Sequence, residues 1–573
     1  MRDPDGQLDW PFDVIVIGGG ITGAMAAWDA AQRGLRVALL ERDDFGGATS
    51  SHSLKFAHGG IRYLQHLDVR RLRDSRSERT ALLRIAPHCV SLIPVAVPCH
   101  GFGLASTGAF RAALGAVRLL TAGVNVDKTI PSRGEVRSRI LSKREFRSTF
   151  EAFADEHHSG AAVFCDGHIY NPPRLVYSIV ESARRLGAQT LNYCEVTGLR
   201  TTGDRVVGVD ARDRVTGAEL EIDARVVLNC AGPFAEQWLV DSGVTRERRV
   251  PLSRDLAVVV RRSLTDGETA FALQTKYADP DAVLSRGNRH LFLVPWRGHT
   301  LIGVDSRVYG GDPYALGVTD EEVRGFLAEI NEAAPALDLS LDDVTRVHYG
   351  LLPFGENDAN ATDLSFGKRS PIFDHADHGG PDGLVTAMSV RLTMGRAVAE
   401  SAVDLALRKL HRQHTPSATA RTPLIGGEFE SFDQLLADAW AMLPQSTDPD
   451  AVDALARNRG RDIANIREAI VENASSGRAL DRSSVLEAEV IAAARHEQVV
   501  HLDDVVLRRT ELGTAGRPTD AALRRCAELV GAELGWDARR RERELERVER
   551  EYPDWIHTGR VRARIELDAV AIP

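Results

Sequence analysis

Cysteine is scarce and scattered. Its six positions in 573 residues (Cys89, Cys99, Cys165, Cys194, Cys230 and Cys526) form no C-x-x-C pair. That spacing argues against a disulfide framework or a zinc ribbon and suits reduced thiols in a cytosolic protein; no metal site is expected. Long apolar runs are missing as well, since no stretch reaches the ~20 uninterrupted apolar residues of a spanning helix. Met1 to Trp10 is polar and acidic, the reverse of a secretory leader. Positive charge is not in excess: 71 Lys and Arg face 81 Asp and Glu, a net charge of −10. A chain-wide basic field is therefore absent and no nucleic-acid partner is expected, although a local patch stays open. No internal repeat is evident. What remains is ordinary globular usage, 43% hydrophobic and 27% charged. The length exceeds one compact core, so two or three domains are expected.

What is present concentrates near the N-terminus. Phe12-Asp13-Val14-Ile15-Val16-Ile17 has the β-branched, apolar look of a buried parallel strand. Gly18, Gly20 and Gly23 follow in G-x-G-x-x-G spacing, a helical pattern runs from Ala24 to Arg33, and a second apolar run, Leu35 to Leu40, stops at Glu41. Each part has a physical task. Gly18 permits the tight turn, Gly20 lets backbone approach a pyrophosphate, and Gly23 lets helix and strand pack closely. The helix N-terminus offers N–H groups to the pyrophosphate. Glu41 accepts from ribose hydroxyls and disfavours a 2′-phosphate, hence NADP; Arg42 follows it directly. Glycine turns often serve packing alone, but the order strand, glycines, helix, strand, acid points to a dinucleotide. It does not separate FAD from NAD.

The next segment does. Gly46-Gly47-Ala48-Thr49-Ser50-Ser51-His52-Ser53 leads into Lys55-Phe56-Ala57-His58-Gly59-Gly60-Ile61-Arg62-Tyr63-Leu64. Taken alone this is a polar loop with hydroxyl donors. As a run, A-T-S-S…K…H-G-G-I-R-Y-L resembles the FAD-dependent glycerol-3-phosphate dehydrogenases, within the wider D-amino-acid-oxidase-like flavoproteins. The resemblance implies FAD lined by Thr49, Ser50 and Ser51, and substrate faced by Arg62 and Tyr63. It continues through Asp166-Gly167-His168 and Asn171-Pro172-Pro173-Arg174-Leu175, past Glu195 and Val196, where adenine is implied. It extends to Cys230-Ala231-Gly232-Pro233, where Ala231 and Gly232 pack backbone on FAD. Cys230, with nothing basic adjacent, reads as a core residue rather than a nucleophile.

At the implied substrate site the match frays. The family's arginine in G-V-R-P-L is Leu352 here. Its K-G-S-H segment falls at Arg254-Asp255-Leu256-Ala257 and loses the histidine, and G-T-T-D becomes Gly303-Val304-Asp305-Ser306. Its G-G-K-I-T-T loop aligns with Ser389 to Met394, so Arg391 stands for the lysine, beside Leu392 and Thr393 as flavin neighbours. Arg391, at the start of a helix through Ala397 to Leu407, can steady anionic flavin or product oxygen but stays protonated and is a poor base. His58 and His348 are the candidate bases, each also readable as structural. The expected catalytic set is Arg391, Arg62, Tyr63 and His58.

The fold class expected is α/β: a Rossmann-like FAD-binding domain, a mainly antiparallel β-sheet substrate domain and a C-terminal all-α domain. The segments are 10–90, 161–240 and 365–411 for the FAD domain, 91–160 for a substrate or cap insertion and 241–364 for the β domain. A Ser/Thr/Ala/Pro-rich linker at 412–425 and a helical domain at 426–573 complete the chain. Glu321 to Ala333 reads as an amphipathic helix. Asp537 to Glu551 is densely charged, with Leu545 and Val548 on one side; its acids dilute the basic charge, favouring a solvated helix over one lying on anionic lipid. The function expected is hydride transfer from a small hydroxylated, optionally phosphorylated, substrate to FAD. The alternatives are oxidation of an amine, amino acid or specialised-pathway intermediate, or a silent FAD-binding subunit. Partners are that substrate and an electron acceptor (quinone, oxygen or other), with a homodimer left open. The location expected is the cytoplasm, with peripheral contact at the inner membrane face as the alternative.

Overall fold

The computed structural model describes residues 11–60, 68–101, 106–120, 138–154, 157–244, 250–278, 288–353, 370–553 and 555. The strand Phe12–Ile17 is buried at every position because both faces of its sheet are covered. Among the described residues that sheet has eight strands, with a path running Ile372–Asp374, Leu384–Ala387, Glu219–Asn229, Phe12–Ile17, Val37–Leu40, Gln189–Leu191. The pairs flanking Phe12–Ile17 are parallel, Ile17 lying opposite Leu40 on one side and Asn229 on the other. Helix Ile21–Gln32 crosses from the first strand to the second and packs against helices Pro172–Arg185 and Gly395–Lys409. Its small residues allow that approach, and Trp28 fills the space between, 1% exposed.

The second sheet has nine strands among the described residues. Its path is Val344–Pro353, Leu252–Val260, His299–Tyr309, Asn288–Trp296, Ala270–Ala278, Val90–His100, His158–Ile169, Phe56–Ala57, with Arg139–Ser142 also on His158–Ile169. The described pairings are antiparallel except that between Val90–His100 and Ala270–Ala278. One face is buried under helix Asp320–Ala333 and the Phe146, Phe150, Phe153 cluster. The other face looks toward the glycine turn. Strands from the 91–160 stretch and from 241–364 therefore share one sheet.

The C-terminal part is helical, from Phe432–Met442 to Ala538–Glu549, around its own apolar core. The stretch 412–425 is bonded to its neighbours. Ser417 donates to Asp29 at 2.6 Å, the Leu424 amide donates to the Ile85 carbonyl at 2.7 Å, and the Ile425 amide donates to Ser182 at 3.0 Å. Its polar composition serves these bonds, which fasten it to the FAD-side helices. Beyond it, Arg508 and Arg509 both reach Asp44, Nε of Arg508 at 2.6 Å and the Arg509 fork at 2.7 Å. Burial opposes ionisation of Asp44, but the two guanidiniums hold its carboxyl well below the usual range. Removing one partner from such a buried set costs about 3–5 kcal/mol.

Candidate active site

A cavity of about 1680 Å³ lies between the first sheet's carboxyl edge and the open face of the second sheet. Cavities for single small ligands run to roughly 1,000 Å³, so this one has room for a dinucleotide and a substrate together.

At one end the turn after the first strand sets the geometry. Gly18 has φ +97°, and a Cβ there would sit 2.8 Å from the Ala231 backbone. A Cβ on Gly23 would come within 1.8 Å of the Gly18 carbonyl oxygen. Gly20 opens to the cavity, its nearest neighbour being the Ser50 hydroxyl, which accepts from the Ile21 amide at 3.0 Å. Glu41 closes the second strand with its carboxylate at the cavity wall, accepting from the Gly19 amide at 2.5 Å and the Asp43 amide at 2.9 Å. Burial pushes its pKa up to about 7. An acid so placed is stabilised by further donors such as ribose hydroxyls, and a helix N-terminus without a capping side chain of its own favours phosphate. These residues fit FAD.

Arg42, Thr49, Val196, Ala231, Gly232, Leu392 and Thr393 also line the cavity. Arg42 lies 4.3 Å over the Tyr314 ring and 3.4 Å from Glu195. Thr49 donates to the Leu351 carbonyl at 2.9 Å, tying the loop to the second sheet. Ser51 is not brought in: its hydroxyl donates to the Gly46 carbonyl, away from the cavity. Cys230 is buried, which pushes its thiol up to about 12, in keeping with a core role.

At the other end His58 and Arg391 line the same space. The His58 amide donates to Thr393 at 3.1 Å, and its ring Nδ1 lies 3.8 Å from the Asp166 carboxylate. Asp166 accepts from the Gly59 amide at 2.5 Å, the Gly167 amide at 3.0 Å and Arg79 at 3.3 Å. Burial opposes its ionisation, yet His58, Arg79 and the Gly59 amide hold its pKa below the ordinary value. Arg391 stands before the turn Leu392–Met394 that opens helix Gly395–Lys409. Arg62 and Tyr63 lie outside the described residues. His348 is not at this site. It is buried with Lys55 at 3.3 Å and His52 at 3.3 Å, and burial drives its pKa well down. Its strand position turns it toward that cluster and off the cavity.

Sequence reasoning passed over Asp166 as a partner of His58, because they are distant in the chain and meet only when Phe56–Ala57 pairs with His158–Ile169. The position of Asp166 in the D-G-H run was the available signal.

A family model described as "FAD dependent oxidoreductase" (DAO) matches residues 13–405. The chain belongs to this family. A second model, described as the C-terminal domain of alpha-glycerophosphate oxidase, matches residues 417–541. A glycerol-3-phosphate dehydrogenase of Synechocystis sp. is 31% identical over 427 residues, 73% of this chain and 74% of that protein. Glycerol-3-phosphate dehydrogenase 2 of Mycobacterium tuberculosis is 28% identical over 612 residues, 98% of this chain and 97% of that one. The fold is also that of the glycerol-3-phosphate dehydrogenase from Bacillus halodurans solved with FAD, at TM-score 0.71, 24% identity and 95% coverage of each chain. This DAO-family chain is an FAD-dependent oxidoreductase with a mainly antiparallel second sheet and a helical C-terminal domain. Among its described residues no helix is long and apolar enough to cross a membrane.

Proposed function

We propose that this oxidoreductase removes hydride from a hydroxyl-bearing carbon of a small substrate, and that Glu41, Gly18, Gly20, Thr49, Ala231 and Thr393 are residues that would hold FAD. The observation that carries the reading is that His58, backed by Asp166, faces the same cavity as the glycine turn. When bound, FAD supplies the hydride acceptor. His58 takes the hydroxyl proton as the C–H bond is lost. Asp166, fixed by two backbone amides and Arg79, keeps the ring turned to the substrate. The Arg391 guanidinium steadies negative charge growing on the product oxygen. An external acceptor, a quinone or oxygen, then takes the electrons.

The relatives' names bring glycerol 3-phosphate as the first substrate to try. Leu352 lines the cavity where the family motif has arginine, and a lost charge-assisted bond weakens a phosphate ligand roughly ten- to hundredfold. The test is anaerobic mixing of the yellow protein with glycerol 3-phosphate and a panel of hydroxy compounds, following flavin absorbance. Bleaching by a hydroxy compound supports the reading. A flavin that only amino acids bleach, or that nothing in a broad panel bleaches, refutes it.

A further inference from the structure

The cavity floor carries a carboxylate that the family's K-G-S-H motif does not have. Asp255 lines the cavity from strand Leu252–Val260, directly opposite Gly350 on one neighbour and Ser306 on the other. Paired residues in a ladder present their side chains on one face. That face is the one Thr49 meets, since a Cβ on Gly350 would lie 3.2 Å from the Thr49 side chain. Asp255 is thus about one strand spacing, roughly 4.8 Å, from the backbone that packs on the cofactor loop.

Among the described residues no cation pairs with Asp255, although Arg289 and Arg307 line the same cavity. The Ser253 hydroxyl donates to it at 3.3 Å and Ser306 bonds it as well, but among the described residues it makes no ion pair. The charged group that acts on it is Asp305, which is itself satisfied by Arg289 at 3.3 Å and Arg307 at 2.9 Å. Arg254, next in the chain, is spent on Glu322 at 2.5 Å. Gly350 and Thr49, from the other elements packed here, bring no charge. Across the sheet the floor is mixed, with Phe292, Val97 and Phe164 beside Gln274 and His290, and Phe110 and Leu114 also on the lining. A phosphate dianion next to Asp255 would meet repulsion; a cation would meet a ready counter-charge.

We propose that Asp255 receives the ammonium group of the substrate, so that the hydroxyl oxidised here belongs to an amino alcohol. The proposal rests on the reading of the cavity as the site of hydroxyl oxidation. Burial raises the Asp255 pKa to about 6, so ammonium binding is strongest above that pH and weakens as the carboxylate protonates below it.

The experiment uses the holoprotein under anaerobic conditions and reads two things separately: binding, from the perturbed flavin spectrum, and reduction, from bleaching. The probes are 3-amino-1,2-propanediol and 2-amino-1-phenylethanol, against 1,2-propanediol and glycerol 3-phosphate. The amino alcohols are expected to bind at least about tenfold more tightly than the diol. Asp255→Asn should abolish that preference at unchanged FAD content, and Asp255→Glu should keep part of it. In the wild type the preference should fade as pH drops below about 6. Equal binding of diol and amino alcohol, tighter binding of glycerol 3-phosphate, or a preference that survives in Asp255→Asn would overturn the proposal. Bleaching by glycerol 3-phosphate with that binding order would leave hydroxyl oxidation standing while removing the ammonium site. An ammonium preference in binding without bleaching by any alcohol would support the site and refute hydroxyl oxidation.

Discussion

At the scale of single residues, the glycines and the acid of the first βαβ unit were legible because their roles depend on spacing along the chain. Gly23 is the sharpest instance, since any side chain there runs into the Gly18 carbonyl 1.8 Å away. Gly23→Ala is expected to displace the turn and lose flavin, measured as the absorbance at 450 nm (about that of the flavin ring) per protein chain; a variant as yellow as the wild type would mean the turn has other room. His58 was legible only as a histidine in a motif. Its carboxylate partner required a strand pairing that no local pattern reveals. His58→Asn should slow flavin reduction by roughly 10²–10⁴-fold while FAD content is unchanged. Stopped-flow rates within a factor of two of wild type would remove it as the base. His348, in sequence a candidate base also readable as structural, is buried beside Lys55, whose Nζ lies 4.1 Å over the Trp296 ring.

At the scale of elements, strands and helices with strong periodicity fell close to their expected bounds. Glu321 to Ala333 is matched by the helix Asp320–Ala333, closed by a Thr319 capping box. In the stretch 412–425 composition does not show which hydroxyls are solvated and which, like Ser417 on Asp29, are spent on buried acceptors. The helix Ala538–Glu549 shows the same ambiguity resolved inward. Val548 is buried, Leu545 packs on the helical core, and Arg547 donates to Asp503 at 2.7 Å. Its apolar stripe is therefore consumed within the fold. A peptide-length swap of its outward Arg residues for Gln should leave partition onto anionic vesicles unchanged, as read by co-sedimentation; a marked loss would point to a lipid-facing role.

At the scale of the molecule, the helical C-terminal part is fastened to the cofactor side by buried charge. Glu497 receives Arg174 at 2.8 Å and Arg459 at 2.5 Å. Burial opposes its ionisation, but Arg174, Arg459 and Arg509 bring its pKa down to about 2. A carboxyl lowered on folding contributes stability above its unfolded pKa and loses it as pH falls toward the folded value. The contribution, about 3 kcal/mol, is thus present above pH ~4.5 and fades below it. Thermal unfolding should show Tm dropping steeply in that window for the wild type and less so for Glu497→Gln, which starts lower. None of this docking was readable from the sequence, since Asp44 and Arg508 are joined only in the folded chain. The account turns on one claim, that the space between Glu41, Gly20 and Thr49 holds FAD. The direct measurement is the flavin released from the purified chain on denaturation, identified and counted against protein. The account predicts one FAD per chain, at a ratio near ~1 as expected for a single dinucleotide fold. A colourless protein that takes up no added FAD would contradict it.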